Sequence, residues 1–141
     1  MDNLHDYLHR VHYYETDKMG VTHHSNYVRW MEEARVDYLD QIGCGYAAME
    51  AAGVVSPVVG LECRYLRPTV FDETVRIRVR VKEYRGVRLF FSYEMQNAAG
   101  EPVFTGVSEH CFLSAAGRPI ILKKQLPDAD RALREALEED K

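Results

Sequence analysis

At 141 residues the chain is long enough for one domain that buries roughly 68% of the surface its unfolded form exposes. With 46% apolar and 28% charged residues and a formal net charge of −4, it has a globular composition without the cationic surplus that binds phosphate backbones or anionic membranes. No apolar run approaches the ~20 residues of a membrane span, and MDNLHDYLHR lacks the apolar core of a secretory signal. Cys44, Cys63 and Cys111 are an odd set without CxxC spacing, so the expectation is a cytoplasmic protein with no structural zinc.

Residues 5–14 mix aromatic and β-branched side chains and predict a first strand. The stretch YYETDKMGVTHHSNYVRWMEEAR then sets two acids, a glycine and a histidine pair before an amphipathic run. From Tyr27 on, Trp30, Met31, Ala34, Tyr38 and Ile42 recur in steps of one, three and four and mark one face of a helix. Arg29, Glu32, Glu33 and Asp37 fall on other faces, with Arg29 and Glu33 spaced for an i,i+4 ion pair worth ~0.3 kcal/mol. Thr22, Ser25 or Asn26 supplies a cap and Gly43 a stop. A shorter helical piece is expected over 46–52.

Past Pro57 the period changes. Residues 58–66 read as a strand closed by Pro68, which cannot donate to a ladder. TVRIRVRVKEY alternates Val75, Ile77, Val79 and Val81 against Arg76, Arg78, Arg80 and Lys82. Arg85-Gly86 predicts a hairpin into 87–96, and residues 97–102 turn again into 103–113. These turns are too short for parallel crossovers, so the sheet is antiparallel. Residues 128–139 predict a last helix with a Leu126/Leu133/Leu137 stripe. Without a repeat or linker, residues 1–141 read as a single α+β domain whose helix stripe covers one sheet face.

Tyr14, Glu15, Thr16, Asp17, Gly20, Val21, His24, Asn26, Tyr27, Trp30, Glu33, Ala34 and Arg35, with Arg64-Tyr65-Leu66-Arg67-Pro68 and Asp72, resemble the hotdog-fold acyl-CoA thioesterases of the 4-hydroxybenzoyl-CoA thioesterase type. The resemblance spans residues 8–115. It implies a hotdog fold, a long central helix wrapped by an antiparallel sheet, with an extra C-terminal helix over about 127–139. Ser25 and Thr69 stand where that family more often has alanine, and His23 where an aromatic is common.

Hydrolysis of a thioester starts from a good leaving group, so it needs a nucleophile or base and donors for the oxyanion. The resemblance places the catalytic carboxylate at Asp17 and the oxyanion donors at the helix start near His24, where N–H groups are unpaired and the helix dipole is positive. Glu15 is the rival acid, on the same side as Asp17 if that segment is extended. Gly20 permits positive φ or close substrate approach. Tyr27 shares a core face with Trp30 and Met31, part of which the resemblance implies borders the acyl tunnel, and Asn26 reads as a hydrogen-bond fastener. Lys82, Arg85 and Arg88 near the hairpin are candidates to meet the CoA phosphates. The other arginines of that strand read as a solvated face. Cys63 and Cys111 read as small apolar residues. Asp17, His23 and His24 lack a fourth metal ligand, and no cofactor is expected.

The resemblance implies as partners an acyl-CoA substrate and further copies of the chain, as a homodimer or homotetramer in which Asp17 and His24 face the 58–64 segment of another copy. An acyl-carrier-protein thioesterase and a non-catalytic acyl-CoA sensing module are the alternatives. A dehydratase would want a histidine in a glycine-proline context, which this chain lacks.

Overall fold

The computed structural model describes residues 4–139. In chain order they form β1 (Tyr7–Arg10), a 3₁₀ turn (Tyr13–Glu15), α1 (Ser25–Gln41), α2 (Tyr46–Ala51), β2 (Val54–Val55), β3 (Val58–Tyr65), β4 (Thr74–Tyr84), β5 (Arg88–Gln96), β6 (Pro102–Cys111), β7 (Leu113–Ser114), α3 (Leu122–Gln125) and α4 (Pro127–Glu139). The main sheet is antiparallel with order β1-β4-β5-β6-β3. β2 and β7 make a separate two-stranded ladder.

Alternation in β4 translates directly into burial: Val75, Ile77, Val79 and Val81 are buried while Arg76 and Arg78 stay exposed. The exposed pair reaches only to Asp6, at 3.8 and 3.4 Å, an arrangement that adds little stability in water. Each fully buried aliphatic or aromatic chain on the inner face contributes about 1.5–3 kcal/mol. The expected α1 stripe of Trp30, Met31, Ala34, Tyr38 and Ile42 is buried in full against that face. Gly106 of β6 lets α1 approach: a Cβ there would lie 2.9 Å from the Phe104 ring, 3.0 Å from the Glu62 carbonyl and 3.0 Å from Met31 Cε. α4 covers another part of the core, lying over β4 with Ala129, Leu133 and Ala136 buried.

The stop at Gly43 works as the sequence implies. Its φ of 81° allows Gly43 N–H to bond Asp40 O and Cys44 N–H to bond Leu39 O, which satisfies the last carbonyls of α1. Three local expectations are corrected. The first strand is only four residues long, because the Glu15 carboxylate accepts the His12 N–H at 2.8 Å and turns 13–15 into a 3₁₀ helix. Glu33 is engaged by the Tyr7 hydroxyl at 2.8 Å and lies 3.5 Å from His9, in place of an Arg29 pair. None of Thr22, Ser25 and Asn26 caps α1; His24 is its N-cap and makes no side-chain cap bond.

Candidate active site

Residues 15–23 form a tight hairpin-like loop at the N-terminus of α1. Thr16 bridges Thr22, Asp17 N–H donates to Val21 O at 2.9 Å, and His23 N–H donates to Glu15 O at 2.8 Å. Gly20 closes the loop with φ 79°, a left-handed conformation that side chains with a Cβ adopt at a cost, and its N–H bonds Asp17 O at 3.0 Å. The loop is fastened to the 66–73 connection: Thr22 N–H donates to Thr69 O at 2.8 Å, and the buried Thr69 hydroxyl joins those of Thr22 (2.6 Å) and Tyr27 (2.9 Å). Tyr27 is therefore buried beneath the loop with its hydroxyl already engaged.

Asp17 is half-buried, and its Oδ1 accepts the Met19 N–H at 2.9 Å. Its Oδ2 has no hydrogen-bond partner among the described residues. Across the loop, the His23 ring does the work a cap residue would do: its Nδ1 lies 2.9 Å from the Ser25 hydroxyl and accepts the Ser25 N–H at 3.3 Å. Asn26 N–H and Tyr27 N–H bond back to His23 O and His24 O, which leaves the His24 N–H, at the positive end of α1, without a hydrogen-bond partner among the described residues. The exposed His24 ring stacks on His23 with centroids 4.3 Å apart, and its carbonyl accepts the Tyr65 hydroxyl at 3.2 Å. Asn26 is the expected fastener, donating from Nδ2 to Glu15 O at 2.9 Å and His23 O at 3.2 Å. One loop thus brings together a carboxylate with a free oxygen and a free N–H donor.

Glu15 takes a different place from Asp17. Its buried carboxylate accepts from Trp30 Nε1 at 2.7 Å, His9 Nε2 at 2.9 Å and His12 N–H at 2.8 Å. Burial alone would push this carboxyl up, but the His12, His9 and Trp30 bonds outweigh it and hold its pKa below the ordinary value. The residue is a structural post beneath the loop. His9, His12 and Glu15 place potential metal-ligand atoms within 4.8 Å of one another. Glu15 already accepts three hydrogen bonds there, and the His9 and His12 rings stack with centroids 5.3 Å apart.

Lys82, Arg85 and Arg88 lie at the other end of the sheet. β1 ends at Arg10 opposite Thr74, so the Asp17 loop sits near the start of β4, and Lys82 is eight residues on, roughly 27 Å at the rise of an extended strand. Arg85 is paired with Glu83 at 2.6 Å and Arg88 with Glu109 at 3.2 Å. Within one chain these cations do not face Asp17. Cys63 and Cys111 are half-buried, and burial pushes the Cys63 thiol up.

The sequence reading did not find a buried polar chain behind the loop. Arg35 donates from Nε to the Tyr46 hydroxyl at 2.9 Å and from Nη1 to the Tyr93 hydroxyl at 2.9 Å. Tyr93 meets Ser108 at 2.6 Å, and Ser108 meets His110 Nε2 at 2.8 Å, while His110 Nδ1 is buried without a partner. Burial, and then the Arg35 charge, push His110 down to about 4. The signal was present in the sequence: Arg35 falls on the apolar stripe, where a charged residue is out of place.

An antiparallel sheet around one long helix, with an acid and an open helix N-terminus at one end, defines a hotdog thioesterase fold. A DHNA-CoA thioesterase structure from Staphylococcus aureus superposes with a TM-score of 0.91 at 35% identity, covering 96% of this chain and 93% of that one. The Bacillus subtilis protein named "Putative acyl-CoA thioesterase YneP" is 35% identical over 127 residues, 89% of this chain and 92% of that protein. Acyl-CoA thioester hydrolase YbgC of Escherichia coli is 32% identical over 89 residues, 63% of this chain and 66% of its own length. Residues 11–137 match the thioesterase-like superfamily, and the chain belongs to it. The neighbours include DHNA-CoA and other acyl-CoA thioesterases, so what they show is the superfamily.

Proposed function

We propose that this protein hydrolyses acyl-CoA thioesters to a carboxylic acid and free CoA. The reading is supported by the 15–24 loop, which carries the half-buried Asp17 carboxylate and, at the start of α1, the His24 N–H, neither Oδ2 nor that N–H having a hydrogen-bond partner among the described residues. Asp17 acts as nucleophile or general base at the thioester carbonyl, and the His24 N–H holds the oxyanion. Such a donor is worth about a hundredfold or more in rate. The names of the relatives support the same activity.

The working unit of this proposal is a homodimer joined through β3. That strand ends the sheet, and Val58, Val59, Leu61 and Tyr65 on it are each 44–48% exposed, an apolar edge open to pairing. Tyr65 lies at the Asp17 end and Val58 at the hairpin end. Antiparallel pairing of two β3 strands would therefore bring Asp17 of one copy to the end where the partner copy carries its hairpin cations. Lys82, Arg85 and Arg88 would then be able to meet the CoA phosphates across the interface.

The test is thiol release from a panel of aromatic, short, medium and long acyl-CoAs, run beside the same acyl groups on a carrier protein. Turnover of at least one acyl-CoA is the expected result. Tight binding without turnover of any would replace the enzyme with a sensing module, and turnover confined to the carrier-protein series would move the thiol to that carrier.

A further inference from the structure

The Arg35 guanidinium is a buried cation with no carboxylate among its partners. Its side chain is fixed by the Tyr46 and Tyr93 hydroxyls, and no described residue takes a hydrogen bond from Nη2. Arg35 is only 6% exposed, and although burial pulls its pKa down, the interactions with Tyr93 and Tyr46 outweigh that and leave it raised, so it is charged. Charges withdrawn from water are stable when an opposite charge meets them, and an uncompensated one costs several kcal/mol by order of magnitude.

A cavity of about 210 Å³ opens beside this cation between α1 and β3. Val28, Met31, Val58 and Leu61 give it apolar walls, Arg29 and Glu32 stand at its exposed rim, and Arg35 also lines it. Glu32 makes no ion pair with Arg35. The site therefore joins an apolar cavity to a fixed positive charge. A purely apolar acyl tail would fill the passage and leave the cation unmet. An acyl chain ending in a carboxylate would meet both.

We infer that this cavity receives the distal end of the acyl group and that Arg35 selects acyl-CoAs whose chain ends in a carboxylate. The inference rests on the acyl-CoA thioesterase reading and names its substrate class. Arg35 is a specificity-determining residue in this account, distant from the bond that is hydrolysed. Tyr46 and Tyr93 hold its guanidinium plane, so the carboxylate is met by a preoriented donor.

Matched pairs of equal length test it: glutaryl- against valeryl-CoA, adipoyl- against hexanoyl-CoA, and suberoyl- against octanoyl-CoA, each scored by kcat/KM for thiol release and by calorimetric affinity. The wild-type protein is expected to prefer the carboxylate member of at least one pair by about tenfold or more. In Arg35→Met that ratio is expected to fall to one or below. A wild-type preference for the methyl-ended member of every pair, or equal use of both, would overturn the inference, and needs no variant to fold. A ratio unchanged in a folded Arg35→Met would do the same. Absence of turnover for every thioester would sink the hydrolase reading alone if the binding preference persists, and both readings if it does not.

Discussion

Replacing Glu15 with glutamine tests whether this acid is a post under the loop or a second catalyst. The carboxylate receives three donors, from Trp30, His9 and the His12 backbone. Glutamine offers one carbonyl oxygen and an NH2 group, so at least one of these donors must face another donor. A hydrogen bond to a charged group contributes about 1.5–3 kcal/mol, and a buried donor left unsatisfied costs about 1–3 kcal/mol more. The expected loss in unfolding free energy is therefore about 3–5 kcal/mol, the range for a broken buried pair. Melting should fall by roughly 10–15 °C for a domain of this size. Urea unfolding followed by the fluorescence of Trp30, the only tryptophan in the chain and itself a donor to Glu15, reads the change directly. The pH dependence carries the same signature. With its pKa below the ordinary 4.5 in the fold, Glu15 contributes its stability above that value and loses it as pH falls through the folded pKa. The glutamine variant should lack that acid-side loss. A stability change below about 1 kcal/mol would refute the structural role.

Three further expectations follow from packing, charge and the open edge. Gly106→Ala places a Cβ 2.9 Å from the Phe104 ring and 3.0 Å from the Glu62 carbonyl, which cannot retreat without shifting β3, and should cost about 1–3 kcal/mol in urea unfolding. His110 has its pKa pushed down to about 4 in the fold against an ordinary 6.5, so the unfolded chain takes up its proton first as pH falls between those values. Stability should drop through that window by up to about 2 kcal/mol at pH 5, and His110→Gln should flatten this slope in unfolding measured at several pH values. Val59→Lys puts a charge on the exposed β3 edge and should shift sedimentation from twice the 16.3 kDa chain mass toward a single chain, with loss of turnover.

The sequence was most legible where one period ran without interruption. β4 and the stripe of α1 come directly from alternation at two and at three to four, because both are buried on one side only. The short β2–β7 ladder and the one-turn α3 carry too few residues for any period to show. At the site, the 13–35 motif located the Asp17 loop, the Gly20 turn and the Asn26 fastener. It ranked Asp17 over Glu15 by resemblance alone, since the residues themselves do not show what faces each acid: Trp30 and His9, which approach from α1 and β1, occupy Glu15 and not Asp17. The His23 ring contact to Ser25 at the start of α1 was hidden for the same reason, since no propensity scale assigns such a contact to histidine. Sequence spacing alone did not tell how far the hairpin cations lie from Asp17 within one chain, because the length of β4 sets that separation.

The most direct test of the catalytic account is thiol release by wild type and Asp17→Asn on the best acyl-CoA, with both proteins shown to melt within a few degrees of each other. Asparagine keeps the shape and the bond from Met19 N–H but has neither the nucleophilic oxygen nor the base. The account predicts a fall in kcat of more than ~10²-fold. A variant that turns over at the wild-type rate would contradict it and remove Asp17 from the chemistry.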